Sequence, residues 1–301
     1  MASVLHNYFF NLEESKTMKK KIALVAMAAF AVGAQAADWS DTSLSFARGS
    51  KFAEPSGKNE ITKNIYSLTH ASGYKYGSNF FTVDMLDSAS SDPAFEGAKT
   101  GAQEIYVIYR NTLDLGKVTG KQFKTTGVRG LGVTGGFDYN SKADFGYNSK
   151  KQMAVFGPTV FVAVPAGFLN VSLLQAWESQ SAKFSDGTGF DRFHYKPHKI
   201  LNISWATPFK AYVPLEFQGT ASFIDEKGKS DASSFAVDTA PETFVDLRLM
   251  YDISASIGAT PKTFQVGAEY QYWKNKFGND YSKNNPGAFA KTPMVRAEYH
   301  F

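Results

Sequence analysis

Apolar and polar residues alternate with a period of two along many short segments of the chain. Between Glu104 and Arg110, one face collects Ile105, Val107 and Tyr109, and the other collects Glu104, Tyr106, Ile108 and Arg110. The same alternation recurs in Leu215–Phe223, Thr243–Tyr251 and Phe264–Tyr272. Successive side chains of a β-strand point to opposite faces, whereas a helix would mix the two sets. Since no segment after Ala37 sustains a helical period, the pattern predicts an all-β protein.

The last ten residues, TPMVRAEYHF, follow the same rule. One face carries Val295, Ala297, Tyr299 and Phe301, and the other carries Arg296, Glu298 and His300. The apolar face would meet a core in a soluble sheet and lipid in an outer-membrane barrel. In the second case Tyr299 and Phe301 form a terminal assembly signal, and the barrel assembly machinery is the expected partner of this strand.

The breaks between the alternating segments are of two kinds. Short breaks lie near Ser72-Gly73, Pro165–Gly167, Pro208–Pro214 and Ser256–Pro261. Longer polar stretches lie near Lys51–Glu60, Asp87–Thr100, Asn140–Ser149, Lys183–His194, Asp225–Ala240 and Lys274–Ala290. Short turns that alternate with long loops are typical of an up-and-down barrel with periplasmic turns and outer loops.

The spacing of these breaks predicts twelve strands of about ten residues, the length that crosses a membrane when tilted. The predicted strands begin near Ser40, Ile61, Tyr76, Ala102, Val128, Lys151, Phe168, Tyr195, Leu215, Thr243, Thr263 and Thr292. The predicted fold is thus a twelve-stranded antiparallel transmembrane β-barrel with both termini on the periplasmic side.

A soluble barrel of the lipocalin kind would also alternate. Two features favour the membrane instead. Aromatic residues near strand ends, such as Trp177, Trp205, Trp273 and Tyr299, suit the girdles at the two membrane interfaces. The faces opposite the apolar ones carry carboxylates and guanidiniums, which a dry core would not hold unpaired. We therefore expect the Gram-negative outer membrane as the location and its lipid as a partner.

The N-terminal segment resembles a secretory signal. Three lysines precede an apolar run from Ile22 to Val32, and Ala34-Gln35-Ala36 matches the small-x-small cleavage pattern. We therefore predict a signal peptide at residues 18–36, cleavage between Ala36 and Ala37, and a barrel at 37–301. Residues 1–17 contain two acidic residues and no cationic region, and are predicted to be a non-native upstream extension.

Composition excludes several classes of function. The 301 residues contain no Cys, so disulfides and thiolate metal sites are absent. Of the formal charge of +4, the first 36 residues contribute four Lys and two Glu, which leaves 4 − 2 = +2 for the mature chain. That charge is too small to indicate a nucleic-acid partner.

Five stretches resemble a known family: ADWSDTSLSF, NIYSLTHASGYKYGSNFFTVDML, EIYVIYRNTLDLGK, EYQYWKNKFGND and TPMVRAEYHF. They are similar to the Tsx/OmpK family of nucleoside-specific channel-forming outer-membrane proteins. The likeness extends over nearly the whole mature chain, and SGYKYGSNFF and YWKNKFGND are its more specific parts. The resemblance implies a twelve-stranded barrel, passive passage of nucleosides and deoxynucleosides, and, for some members, use as phage receptors.

A twelve-stranded barrel leaves a narrow passage, because eight strands are filled by side chains and sixteen leave a wide channel. For a nucleoside, the useful lining is an aromatic face for the base and hydrogen-bonding groups for the ribose. The alternation predicts these inward candidates for the substrate path: Phe80, Thr82, Asp84, Glu104, Tyr106, Arg110, Glu216, Gln218, Phe244, Asp246, Arg248, Glu269, Gln271, Arg296 and Glu298. Paired charges such as Arg248 with Asp246 are equally consistent with a network that only stabilises the barrel.

Other classes of function remain as alternatives. A barrel enzyme would need a nucleophile with His, or His with carboxylates, and His194 and His198 near Asp186 and Asp191 are the available group. Solvated loop histidines are far commoner, so we predict no enzyme, no metal and no cofactor. A general small-solute porin, or a surface receptor for phage or adhesion acting through its outer loops, is the alternative to a nucleoside channel.

Overall fold

A computed structural model of the protein describes residues 37–55, 57, 59–92, 101–144, 146–184, 186–209, 214–228, 239–283 and 285–301. The predicted upstream extension (1–17) and signal peptide (18–36, ending at Ala36) lie outside the described residues. Ala37, the predicted first residue of the mature chain, is described.

The described chain is built almost entirely of β-strands. These are β1 Trp39–Phe52, β2 Ile61–Tyr74, β3 Gly77–Ser88, β4 Gln103–Asp114, β5 Val128–Ala143, β6 Tyr147–Val162, β7 Phe168–Phe184, β8 Gly189–His194, β9 His198–Pro208, β10 Leu215–Ile224, β11 Glu242–Asp252, β12 Phe264–Lys274 and β13 Phe289–His300. One helix, α1 (Leu115–Thr119), and three single-turn 3₁₀ segments (Ser254–Ile257, Lys276–Gly278, Pro286–Ala288) lie between strands. No helix in the described ranges is long and apolar enough to cross a membrane.

The strands form one closed antiparallel barrel. Each barrel strand pairs with its neighbour in the chain, and β1 pairs with β13 from Ser43↔His300 to Gly49↔Met294, which closes the sheet. Strand β8 lies outside this ring, because it pairs only with the outer end of β7 while β9 pairs with the remainder. The ring therefore has twelve strands, as the sequence predicts.

The two faces of the barrel differ in chemistry. Large apolar side chains are exposed on the exterior, including Phe156 at 58% and Val295 at 66% of full exposure. The interior face holds buried charges such as Lys63, Glu178 and Arg296. A soluble barrel has the opposite arrangement, and lipid is the medium that accommodates this exterior. The chain is thus a transmembrane barrel of the Gram-negative outer-membrane kind.

Two connections differ from the predicted pattern of short turns and long loops. The outer connection predicted at Asn140–Ser149 is short. Strand β5 ends only at Ala143 and β6 begins already at Tyr147, so Asn140 and Lys151 are paired strand residues rather than loop residues. The periplasmic connection 115–127 is long and contains α1, which Asp114 caps by accepting hydrogen bonds from the N–H groups of Gly116 and Lys117. Polar residues at interior positions of β5 and β6 look like loop residues when only local composition is considered.

Trp273 lies on the interior face of the barrel, so the prediction of an exterior girdle position for it is wrong. Its register partner is Phe244, and the two rings lie 5.0 Å apart. The indole Nε1 donates to Glu242 Oε1 at 2.6 Å. An interior position is favourable for this ring because its N–H group has a hydrogen-bond acceptor there.

The last residue adds little to the folded barrel. Phe301 is 66% exposed, its N–H donates to the Thr42 carbonyl at 2.9 Å, and its ring lies 5.8 Å from that of Tyr299. Deletion of Phe301 is expected to reduce assembly into the membrane far more than it lowers the stability of barrels that do fold, because one aromatic contributes at most about 3 kcal/mol of burial. Surface levels compared with the unfolding free energy of the purified barrel measure the two effects separately. Phe301→Tyr is the matched control, and normal surface levels of the deletion variant would contradict a terminal assembly signal.

Candidate functional site

The strand registers place all fifteen predicted path residues on the interior face of the barrel. They divide into two groups by exposure. Nine remain partly exposed within the barrel: Phe80, Asp84, Tyr106, Arg110, Glu216, Gln218, Phe244, Arg248 and Gln271. Six are buried against neighbouring side chains: Thr82, Glu104, Asp246, Glu269, Arg296 and Glu298. Only the first group borders open interior space.

A buried group of charges fills the outer end of the barrel beside β2, β4 and β5. We call it the loop-1 cluster, and its members are Glu54, Lys63, Asp92, Glu104, Lys142 and Lys276. Lys63 Nζ lies 2.5 Å from Glu54 Oε1 and 3.5 Å from Glu104 Oε2. Lys142 Nζ lies 2.6 Å from Asp92 Oδ1. The cluster contains three lysines and three carboxylates, so its charges balance.

Glu54 connects two outer loops within this cluster. Its Oε1 is 3.0 Å from Lys276 Nζ, which also donates to the Ala53 carbonyl at 3.0 Å. Burial alone would raise the pKa of the Glu54 carboxyl, but the ammonium groups of Lys276, Lys63 and Lys142 outweigh it and hold the pKa well below its usual range. Glu54 is therefore ionised and holds the loop after β1 against the loop before β13.

A second buried group lies at the outer end beside β6, β7 and β9. We call it the loop-5 cluster, and its members are Lys151, Glu178, His198, Lys227 and Glu242. Glu178 is its centre, since its Oε1 accepts from Lys227 Nζ at 2.9 Å and its Oε2 lies 3.5 Å from Lys151 Nζ. Lys227 comes from the loop after β10 and also lies 3.7 Å from Glu242 Oε2. Two clusters thus draw loop residues inward and narrow the outer mouth.

His198 is part of this second cluster rather than of a solvated loop. It is the first residue of β9, its side chain is buried, and its Nε2 lies 3.9 Å from Glu178 Oε2. Its Nδ1 faces the Lys196 carbonyl at 3.1 Å. His194 lies on β8, where its register partner is Ser179. Across the described ranges no three His, Asp or Glu residues are grouped so that they could hold a metal ion.

A third group of charges lies further along the interior face on β11, β12 and β13. We call it the arginine cluster, and its members are Asp246, Arg248, Glu269, Arg296 and Glu298. Arg296 donates to Glu269 Oε2 at 3.0 Å, to Glu298 Oε1 at 2.5 Å and to Ser45 Oγ at 2.7 Å. Because Ser45 lies on β1, Arg296 also links the two strands that close the barrel.

Arg248 is the accessible member of the arginine cluster. Its Nε lies 2.9 Å from Asp246 Oδ1 and 3.5 Å from Glu269 Oε1, and 30% of its side chain is exposed. One guanidinium is therefore buried by its partners while the other reaches the interior space. Such an arrangement can both stabilise the wall and present a hydrogen-bond donor to a solute.

An aromatic and ionic wall is formed by β3, β4 and β5. Phe80 and Arg110 are direct register partners, and Phe80 is 40% exposed. Arg110 pairs with Asp138 at 2.5 Å, and the Tyr106 hydroxyl donates to Asp138 Oδ2 at 3.2 Å. A Cβ at Gly136 would clash with the Tyr109 carbonyl and crowd the Arg110 side chain. The glycines of this strand therefore permit close packing.

Hydroxyl groups form a continuous ladder across four neighbouring strands of the interior. Thr112, Thr134, Thr159 and Ser172 are linked in sequence by oxygen–oxygen distances of 2.8, 2.6 and 2.8 Å. Asn202 on β9 donates to Thr220 and Ser222 at 3.0 Å on the same face. Thr134, Thr159 and Ser172 are buried, so the ladder satisfies its own hydroxyl groups within the wall.

The sequence reasoning missed most residues of the two outer clusters. Lys63, Lys142, Lys151 and Glu178 lie at interior positions of strands, and period-two counting from their neighbours would have placed them inside. Glu54, Asp92, Lys227 and Lys276 lie in loops, where no local pattern indicates that a charge turns inward. Their membership of the buried clusters is visible only from the ion pairs that they form in the structure.

Comparison with known proteins gives distant structural likenesses. No protein-family model matches the chain, and no curated protein matches it in sequence. The chain is similar to the translocator domain of the autotransporter NalP from Neisseria meningitidis, with 11% identity, coverage of 96% of this chain and 98% of that one, and a TM-score of 0.48. It is also similar to the KdgM porin in complex with disordered oligogalacturonate, with 10% identity, coverage of 86% and 99%, and a TM-score of 0.38. The beta domain of the Bordetella autotransporter BrkA has 9% identity, coverage of 88% and 99%, and a TM-score of 0.42. At these scores the assignment of the fold rests on the closed register described above.

Proposed function

We propose that this barrel is a passive outer-membrane channel that selects nucleosides and deoxynucleosides. The observation that carries the proposal is the partly exposed interior face, on which aromatic rings alternate with hydrogen-bonding groups. Phe80 and Tyr106 supply the rings on one side, and Phe244 lies on β11. The resemblance to the Tsx/OmpK family supports the same substrate class.

The interior chemistry suits a neutral polar solute. The loop-1 cluster balances its charges, and Arg110 is neutralised by Asp138. A nucleoside base stacks on an aromatic ring with about 1–3 kcal/mol. The partly exposed amides of Gln218 and Gln271 offer hydrogen-bond partners for ribose. Several weak contacts in series permit release as well as entry, which a channel requires.

The same interior is compatible with two other functions. A general porin would use the same narrow passage without preferring a base. A surface receptor for phage or adhesion would use the outer loops, and the two clusters would then serve only to hold those loops.

Protein reconstituted in liposomes is expected to pass adenosine or thymidine faster than a sugar of similar size. Added nucleoside should also reduce the single-channel current, because a stacked base occupies the passage. Phe244→Ala or Tyr106→Ala should weaken that block about tenfold, in line with one lost stacking contact. Tyr270→Ala is the matched control, since this ring lies on the exterior face.

Each alternative predicts a different flux result. Equal rates for nucleosides and unrelated solutes would indicate a general porin. No flux for any solute, with phage or ligand adhesion retained, would indicate a receptor. Flux that remains selective in the Phe244 and Tyr106 variants would remove stacking from the mechanism but retain the channel.

A further inference from the structure

A cavity of about 440 Å³ lies at the outer rim, between the loop after β1 and the chain that leads into β13. Its lining combines charged, aromatic and polar residues, among them Lys51, Asn59, Glu60, Tyr281, Phe289 and Lys291. The interior path uses none of these residues. The cavity is therefore separate from the proposed channel.

Two exposed lysines are the charged feature of this cavity. Lys51 is exposed and lies one residue before the end of β1. Lys291 is exposed on the exterior face of β13. Within the described residues neither ammonium forms a salt bridge, and nearby Glu54 is occupied by Lys63 and Lys276. Lys291 Nζ lies 4.8 Å from the centre of the Phe289 ring. Two unpaired cations at one cavity favour an anionic ligand.

The remaining lining suits a sugar. The rings of Tyr281 and Phe289 lie 5.1 Å apart, and Phe289 lies 5.1 Å from Tyr272 on the exterior of β12. Exposed Asn59 and Glu60 add hydrogen-bonding groups beside these rings. Aromatic faces together with amide and carboxylate groups provide the apolar and polar contacts that a sugar ring can use.

The position of the cavity relative to lipid points to the source of the ligand. From Lys291 to Phe301 the strand rises about 33 Å, and a tilt of about 40° reduces this to a height of about 25 Å, the thickness of the apolar belt. Val295, between them on the exterior, is 66% exposed. Lys291 therefore lies at the headgroup level of the outer-facing leaflet when Phe301 lies at the periplasmic boundary.

We infer that this cavity binds the phosphorylated sugar headgroup of an acylated glycolipid in the outer-facing leaflet. Lys51 and Lys291 contact the phosphate, Tyr281 and Phe289 contact the sugar, and the acyl chains lie along the exterior beside Val295. A glycerophospholipid would leave the aromatic and amide lining unused. Binding of free phosphate would not explain why the cavity lies at the level of the lipid headgroups.

The test is binding of diphosphorylated lipid A to the detergent-purified full barrel, followed by native mass spectrometry. Lys51→Gln with Lys291→Gln should weaken binding about tenfold or more, since each cation near an anionic headgroup adds to affinity. Tyr281→Ala should weaken it by a smaller factor. The matched control is Lys262→Gln with Lys121→Gln, two exposed lysines in periplasmic connections, which should leave binding unchanged.

The comparison of ligands decides the assignment. Dephosphorylated lipid A and phosphatidylglycerol should both bind more weakly than diphosphorylated lipid A. Equal binding of phosphatidylglycerol would overturn the glycolipid assignment, and competition by inorganic phosphate at equal affinity would show a free-anion site. Unchanged binding in the Lys51/Lys291 variant would overturn the site itself. The variant's shift between heated and unheated samples in gel electrophoresis reports that it is folded.

Discussion

Glu54→Gln is expected to raise single-channel conductance and to shift ion selectivity toward anions. The carboxylate contacts Lys63, Lys142 and Lys276, and its loss leaves three buried ammoniums with Asp92 and Glu104 alone. Removing one partner from a buried charge group costs about 3–5 kcal/mol, enough to release the loops that Glu54 joins. Conductance in a planar bilayer and the reversal potential in a salt gradient measure both effects.

Glu60→Gln is the matched control for this experiment. Glu60 belongs to the same loop, is exposed, and forms no salt bridge within the described chain. Its neutralisation should leave conductance unchanged. A Glu54 variant with the conductance of the wild type would contradict the role of the loop-1 cluster in narrowing the outer mouth.

The ionisation of Glu54 also determines how the conductance should respond to acid. Because the folded-state pKa of Glu54 lies below its ordinary value of 4.5, the ion pairs are fully present above that value and are lost as the pH falls through the lowered pKa. Conductance should therefore stay constant from neutral pH to about 4.5 and rise only in stronger acid. Glu54→Gln should lose that acid-dependent rise.

Arg296→Met is expected to destabilise the barrel by about 3–5 kcal/mol, because the buried carboxylates of Glu269 and Glu298 would lose the guanidinium between them and keep only Arg248 and His300. The change also removes the hydrogen bond to Ser45 that joins β13 to β1. Unfolding by urea in lipid vesicles, followed through tryptophan fluorescence, gives the free energy of unfolding.

Two further variants separate charge loss from loss of packing. Arg296→Met combined with Glu269→Gln should recover part of the stability, because one orphaned carboxylate becomes neutral. Arg248→Gln should cost less than Arg296→Met, because Arg248 is itself 30% exposed and Glu269 keeps its contact with Arg296. Equal losses for Arg248→Gln and Arg296→Met would show that burial does not determine the effect.

Hydrophobic periodicity alone was enough to predict the strands. Predicted starts at Ile61, Val128, Phe168 and Leu215 coincide with the strand starts of the structure. The interior side of each strand follows equally, because period two depends only on the neighbouring residues and on which face meets lipid. The predicted exterior face of the last strand, from Val295 to Phe301, is exposed for the same reason.

The local sequence pattern does not predict which charged loop residues turn into the barrel. Glu54 pairs with Lys276, 222 residues away, and Lys142 pairs with Asp92, 50 residues away. Neither pair has a signature in the sequence near it, and both segments read as ordinary solvated loops. Trp273 was misplaced because its aromatic character suggested a girdle, while its register sets it inside beside Glu242.

The sequence by itself therefore determined the class of fold, the number of strands and, except for Trp273, the face on which the strand residues lie. Only the tertiary structure decided which charges meet, which loops enter the mouth and which interior residues stay accessible. Strand periodicity is a property of adjacent residues, so the chain carries it locally. Ion pairs such as Glu54 with Lys276 form only when the closure of β1 on β13 brings distant segments within a few ångströms of each other.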